Sequence, residues 1–138
     1  MATNKQPFFF NSISGTEVEI NNSDGTALQA VFTAGTDGGA VTNLTATTTD
    51  TSDVIAVISR TVGAQTNVIG EVIVKAGSGT DGATPTTNLL DVTALNGVLL
   101  NDGSLPLGVS GVLSVNAKSA VTAATVLSIS AIGGSYSV

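Results

Sequence analysis

The sequence predicts an all-β protein, an antiparallel β-sandwich of jelly-roll type with at most one short helical turn. Apolar and polar residues alternate over 113–118 and again over 127–132. Alternation of this kind places one set of side chains on each face of a pleated strand. Similar short runs recur at spacings of about 8 to 12 residues with turn residues between them, which is typical of sandwiches and barrels.

The individual elements follow from the same pattern, with breaks at clusters of Gly, Asn and Asp. Strands are predicted, in chain order, at 16–21, 28–32, 41–49, 54–58, 68–75, 98–100, 113–118 and 127–132. The continuous apolar run 54–58 indicates a central strand covered on both faces. Two hairpins are expected, one over 54–75 and one formed by the last two strands. The run 87–95 is predicted to hold the single helical turn, starting from a Thr cap.

The chain divides into an N-terminal arm, residues 1–15, and one sandwich domain, residues 16–138. Its 138 residues suffice for one domain with a sizeable core. Within the arm, Pro7 discourages regular structure. No linker or internal repeat suggests a second domain.

Three consecutive aromatic residues, Phe8, Phe9 and Phe10, stand out in this arm. Neighbouring side chains on a strand face opposite ways, so one wall cannot bury all three. Two interpretations remain open. Either Phe9 enters the core while Phe8 and Phe10 cover its rim, or the arm docks on another subunit. Aromatic side chains carry much of the energy of such interfaces. The predicted partner contacts are therefore these three residues together with Lys5.

The composition bounds the possible functions. The formal net charge is −6, only 10% of residues are charged, and the four Lys and Arg residues are scattered. Nucleic acids and anionic membrane surfaces need clustered basic residues, so we expect neither as a partner. The chain has no Cys and no His, which removes the usual thiol nucleophile and general base. We expect no enzyme activity, no export by a signal peptide and no membrane span.

Possible chemical motifs have simpler structural interpretations. Residues 77–82 match GxGxxG, but Pro85 follows where a dinucleotide site needs a helix, so a Gly-rich loop is predicted. Asp50 and Asp53 flank one loop, an arrangement that would allow them to share a cation. Glu17 and Glu19 lie two residues apart on one strand and are predicted to be solvated edge charges. No catalytic, cofactor-binding or metal-binding residue is predicted.

Two long stretches carry a resemblance to a known family. SDGTALQAVFTAGTDGGAVTNLTATTTDTSD (23–53) and LSVNAKSAVTAATVLSISAIGGSYSV (113–138) combine Thr/Ala/Val strands with Asp-Gly turns. In this texture the chain resembles small all-β head decoration, or cement, proteins of tailed bacteriophages. The resemblance implies a sandwich that assembles as a homotrimer, binds the major capsid protein or other virion subunits, and stiffens the shell. It implies that the protein is made in the host cytoplasm and located on the capsid surface of the virion. No catalytic residues come with the resemblance.

A second functional class remains open. A β-sandwich equally suits a receptor- or glycan-binding module of a phage fibre or a bacterial surface, because a fold does not dictate its function. The sequence leaves the choice between these classes to experiment.

Overall fold

The computed structural model describes residues 10–136. Within that range the chain forms strands joined by turns and one short 3-10 helix, Asn22–Asp24. The strands are β1 (Phe10–Asn21), β2 (Gln29–Thr33), β3 (Gly39–Thr48), β4 (Val54–Val62), β5 (Gln65–Val74), β6 (Thr87–Asn88), β7 (Leu105–Leu107), β8 (Val112–Ala117) and β9 (Val126–Tyr136).

The strands build two antiparallel sheets. Sheet A has the order β1-β9-β3-β6, and sheet B has the order β2-β8-β4-β5. The short β7 also belongs to sheet A, where it pairs with the first residues of β3 while β6 pairs with later ones. The strands β6 and β7 therefore share one position beside β3.

The pairing is nested in the way that defines a jelly roll. The strand β4 pairs with β5, β3 with β6 and β7, β2 with β8, and β1 with β9. A long antiparallel hairpin rolled over itself gives this nesting, and the additional pairs β3–β9 and β4–β8 close the roll. Two four-position sheets connected in this manner form a jelly-roll sandwich, so the predicted fold class is confirmed.

The core lies between the sheets and consists of aliphatic side chains from alternate strand positions. The predicted inward residues of the third strand, Leu44 and Ala46, are indeed buried. The apolar run 54–58 lies on β4, which is flanked by β5 and β8 as expected for an interior strand. The largest completely buried side chains include Ile20, Leu44, Ile58, Leu89, Leu95, Leu105, Leu113, Leu127 and Ile129.

The predicted hairpin over 54–75 is present, but the predicted hairpin of the last two strands is wrong. The first corresponds to β4 and β5, which pair from Val54↔Val74 to Val62↔Gln65. In the second, β8 belongs to sheet B and β9 to sheet A, so the loop 118–125 crosses from one sheet to the other. Alternation shows which face of a strand is apolar, and both strands satisfy it from opposite walls of the same core.

The run 87–95 does not form the predicted helical turn from a Thr cap. Its first two residues form β6, and a single bond from the Leu95 N–H to the Asp91 carbonyl (2.8 Å) closes one isolated turn. The predicted strand 98–100 is also absent, since these residues belong to the turns that follow. The segment 89–104 leaves the sheet and buries Leu89, Leu90 and Leu95 instead.

An irregularity in β2 changes which side chains face inward. The sequence pattern assigns Leu28, Ala30 and Phe32 to one face, but the register against β8 shifts between Ala30 and Phe32. As a result Val31 and Phe32 are both buried, and Leu28 is 46% exposed. A β-bulge of this kind adds one residue to a strand and so reverses the alternation beyond it.

The first strand begins earlier than the sequence predicts. The strand β1 begins at Phe10 and pairs with β9 from Phe10↔Tyr136 to Asn21↔Val126. Residues 10–15, assigned to the arm from the sequence, therefore belong to sheet A. Lys5, Phe8 and Phe9 lie outside the described residues.

Gly70 provides a direct test of how segment 89–104 packs on the sandwich. A Cβ on Gly70 would lie 2.8 Å from the Ala94 carbonyl oxygen and would meet the buried Leu95 side chain. We expect Gly70→Ala to lower the free energy of unfolding by about 1–3 kcal/mol, as overpacking does elsewhere. Urea denaturation measures the change. Gly108→Ala is the matched control, because a Cβ there meets no atom within 4 Å; equal losses in both variants would contradict this packing.

Candidate interaction surface

The connections of the sandwich divide between its two ends. One end, here called the loop end, contains the connections 22–28, 49–53, 75–86 and 118–125. The opposite end contains the connections 34–38 and 108–111 together with the start of β1 and the end of β9. These two ends differ in chemistry, and each is a candidate site.

A buried carboxylate, Asp50, organises the loop end. Its oxygens accept hydrogen bonds from the Ser52 N–H, the Thr122 N–H and the Thr122 hydroxyl, each 2.9 Å long. Its carbonyl oxygen accepts a further bond from the Gly77 N–H at 3.0 Å. Asp50 thus connects three loops. The residue as a whole is only 3% exposed.

These bonds stabilise the charged form of Asp50. The backbone N–H of Thr122 is the main cause that holds the pKa of the Asp50 carboxyl below its ordinary value, and burial opposes it only in part. A carboxylate satisfied by three donors and oriented toward the backbone acts as a structural anchor rather than as a reactive group.

Asp50 and Asp53 are the pair whose spacing would allow a shared cation. Both residues line one cavity of about 380 Å³. Asp53, however, accepts its bonds from the Ala76 N–H (2.9 Å) and the Lys75 ammonium (3.3 Å), while Asp50 accepts its own from a different loop. Among residues 10–136 no cluster of three or more His, Cys, Asp or Glu side chains is placed to hold a metal ion.

The GxGxxG stretch is the loop that the sequence predicts. Gly77, Gly79 and Gly82 all have positive φ. Asp81 accepts bonds from the N–H groups of Ala83 (2.8 Å) and Thr84 (2.6 Å), which fixes a turn where a nucleotide site would need a helix. Within this loop the N–H groups of Gly79, Thr80 and Asp81 also donate to carbonyls of the same loop, while the Gly77 N–H donates to the Asp50 carbonyl.

The outer face of sheet A carries polar residues along most of its length. Glu17 and Glu19 lie here on β1, an edge strand, and both are exposed as predicted. Their partners on β9 are Ser130 and Ser128. This part of the face is a hydrated surface, and its charges protect the edge strand against unwanted pairing.

The same face becomes apolar at the end where β1 begins. Phe10 and Tyr136 are direct partners in the β1–β9 register, and their rings stack with centroids 5.2 Å apart and an interplanar angle of 25°. Ile13 is 71% exposed and Ile132 is 47% exposed. We call these four residues, Phe10, Ile13, Ile132 and Tyr136, the apolar strip.

Gly134 makes room for the apolar strip, and its neighbour Gly133 makes room for a ring in the core. A Cβ on Gly133 would meet the buried Phe32 ring, whereas a Cβ on Gly134 would meet the ring of Phe10. Successive residues of a strand face opposite ways, so Phe10 lies on the outer face of sheet A. Gly134 is also the partner of Ile13 across the β1–β9 pair. With no side chain on Gly134, Phe10 can lie flat beside the exposed isoleucine.

The structure places one of the four predicted contact residues in this strip. Phe10 belongs to it, and Lys5, Phe8 and Phe9 precede it outside the described residues. The sequence reasoning missed Ile13, Ile132 and Tyr136. For Ile13 the alternation itself is a signal, because continuing it toward the N-terminus puts Ile13 on the same face as Glu17 and Glu19. The sequence prediction starts the first strand at Thr16 and therefore does not include Ile13.

Comparison with protein families, with curated proteins and with solved structures yields no match. In the part of the chain that the structure describes, no helix is both long and apolar enough to span a membrane. Function is therefore inferred from the geometry and chemistry of the chain itself.

The Asp50 anchor predicts a specific dependence of stability on pH. Because the folded-state pKa of Asp50 is lowered, its contribution is complete above the unfolded pKa of about 3.9 and is lost as the pH falls through the folded value. We expect Asp50→Asn to destabilise the protein at pH 7 by about 1.5–3 kcal/mol, the range for hydrogen bonds to charged groups. The deficit should shrink as the pH falls below about 4.

Urea denaturation of both proteins between neutral and acidic pH measures this difference. Glu17→Gln serves as the control, since it removes one exposed carboxylate that accepts no hydrogen bond within residues 10–136. We expect this variant to keep its stability at pH 7. A deficit of Asp50→Asn that is constant down to acid pH would show that the charge of Asp50 does not stabilise the loop end.

Proposed function

We propose that this chain is a structural protein of a tailed-bacteriophage virion, a decoration or cement protein that binds the outer surface of the capsid and stabilises the shell. The observation that supports this most is the apolar strip at the end of the sandwich where β1 begins. In the sequence, Lys5, Phe8 and Phe9 precede Phe10, the first residue of the strip. Exposed apolar side chains next to stacked aromatic rings are typical of surfaces that bind a protein partner.

The arrangement of the two ends supports a binding role for one of them. At the loop end, the carboxylates of Asp50, Asp53 and Asp81 accept hydrogen bonds from backbone N–H groups. At the opposite end, Ile13 and Ile132 expose apolar surface. Burial of such surface against a partner is favourable at roughly 25 cal/mol per Å².

The mechanism is linkage between binding and shell stability. A protein that binds the assembled shell and not the free subunits stabilises the shell by mass action. We further propose that the chain acts as a homotrimer, because three modest contacts joined in one assembly bind more tightly than one. The weakly charged surface, with 10% charged residues, suits close packing of many copies.

The test uses heads of the phage whose genome encodes the chain, purified without this protein. We expect the protein to bind these heads to saturation and to raise the temperature at which they open. Deleting residues 1–9 leaves β1 intact, since β1 begins at Phe10. We expect this deletion to weaken binding at least about tenfold, as loss of aromatic anchors does at other interfaces.

Point variants assign the binding surface. Ile13→Ser combined with Ile132→Ser should also weaken binding to the heads, whereas Ile73→Ser should not. Ile73 is a matched control because it is 52% exposed and lies on β5, in the other sheet. Folding of each variant is checked by circular dichroism. Failure to bind heads, together with specific binding on a glycan array, would contradict the proposal and favour the receptor- or glycan-binding class.

A further inference from the structure

The segment 89–104, which has no part in the proposed function, contains the single Asn-Gly step of the sequence, Asn96-Gly97. Both residues are exposed. They occupy the centre of a turn that is closed by a bond from the Val98 N–H to the Leu95 carbonyl at 3.0 Å. Gly97 has φ +80°, a conformation that glycine adopts without strain.

In an Asn-Gly sequence the asparagine side-chain amide can react with the backbone nitrogen of the glycine. Here neither of these two groups makes a hydrogen bond in the described part of the chain. Within residues 10–136, the Asn96 side chain makes no hydrogen bond, and the Gly97 N–H donates none. The backbone nitrogen of Gly97 is therefore available as a nucleophile, and the Asn96 Cγ as an electrophile. Since glycine has no Cβ, the approach of the nitrogen is not hindered.

The four Asp-Gly steps provide an internal comparison, because they can undergo the same cyclisation. In three of them the glycine N–H is already engaged: Gly25 donates to Asn22, Gly38 to Gly35 and Gly103 to Leu100. In the fourth, the Asp81 carboxylate accepts bonds from Ala83 and Thr84. Asn96-Gly97 alone has both reacting groups unengaged.

We propose that Asn96 is a site of spontaneous covalent modification, at which the folded protein deamidates to a mixture of aspartate and isoaspartate. The Gly97 nitrogen attacks the Asn96 Cγ and forms a new C–N bond. The bond from Cγ to Nδ2 breaks, and ammonia leaves with the proton from the Gly97 N–H. Water then opens the cyclic imide at either carbonyl, so the only co-reactant is solvent water.

The modification changes a turn that is attached to the core. Leu95, the residue before Asn96, is 1% exposed and packs against Gly70 of β5. The isoaspartate product adds one carbon to the main chain beside this anchor, and either product adds one negative charge. The modified protein is therefore separable by ion exchange, and the change alters the surface of segment 89–104.

The experiment incubates the full-length protein at neutral and at alkaline pH, folded and in denaturant. Peptide mass spectrometry and isoaspartyl methyltransferase labelling measure the products at each site. In the folded protein we expect Asn96 to react about tenfold faster than any other Asn or Asp-Gly step, a barrier difference of about 1.4 kcal/mol. The rate should rise with pH, because the reacting species is the deprotonated Gly97 amide.

Two variants complete the test. Asn96→Gln keeps an amide but forms the larger ring slowly, so it should remove the product at this site; Asn101, also exposed in the same segment, is the internal control. Gly97→Ala should slow the reaction in the denatured chain as well. The proposal is overturned if Asn96 reacts in denaturant but stays intact in the folded protein, or if the products in the folded protein are spread evenly over the Asp-Gly steps.

Discussion

The pairing of β9 with β1 on one side and β3 on the other is the interaction on which the rest of the molecule depends. The inward side chains of β9, Leu127, Ile129 and Ala131, are at most 1% exposed. At its far end the same strand has Gly133 beneath the Phe32 ring and Gly134 beneath the Phe10 ring. One strand therefore fixes the centre of sheet A, part of the core and the position of the apolar strip.

The two ends of the sandwich differ in polarity: the loop end is built on hydrogen-bonded carboxylates, and the opposite end exposes apolar side chains. At the loop end, Asp50 joins three connections through bonds to Thr122, Ser52 and Gly77. A carboxylate that accepts backbone N–H groups rigidifies the loops that it joins, since each bond removes an unsatisfied donor. The opposite end has Ile13 and Ile132 exposed beside stacked aromatic rings. Hydrogen bonds therefore join the connections at the loop end, whereas the opposite end exposes apolar surface.

The connection between β6 and β7 shows how the fold accommodates an irregular segment. It leaves sheet A after Asn88 and returns at Leu105. In between it buries Leu89, Leu90 and Leu95 against the sandwich. Leucines bury apolar surface without needing hydrogen-bond partners. They can therefore fix this segment to the core although it pairs with no strand. The turn at Asn96 is one of the exposed parts of this segment.

The sequence by itself determined the all-β class, the interior position of 54–58, the hairpin of 54–75 and the turn role of the Asp-Gly steps. These features depend on alternation and turn chemistry, which act between neighbours in the chain. It also pointed to Phe10 as a surface residue of interest. It did not assign Ile13, Ile132 and Tyr136 to the same surface, because they come from distant parts of the chain.

Only the tertiary structure decided which strands pair, that β8 and β9 lie in different sheets, and that Asp50 accepts hydrogen bonds from Thr122. The same holds for the bulge that exposes Leu28 and for the leucines that replace a helical turn in 89–95. The physical reason is common to these cases. A strand's pattern specifies its apolar face but not its neighbour, and long-range contacts select the neighbour that fills the core without leaving buried donors unpaired.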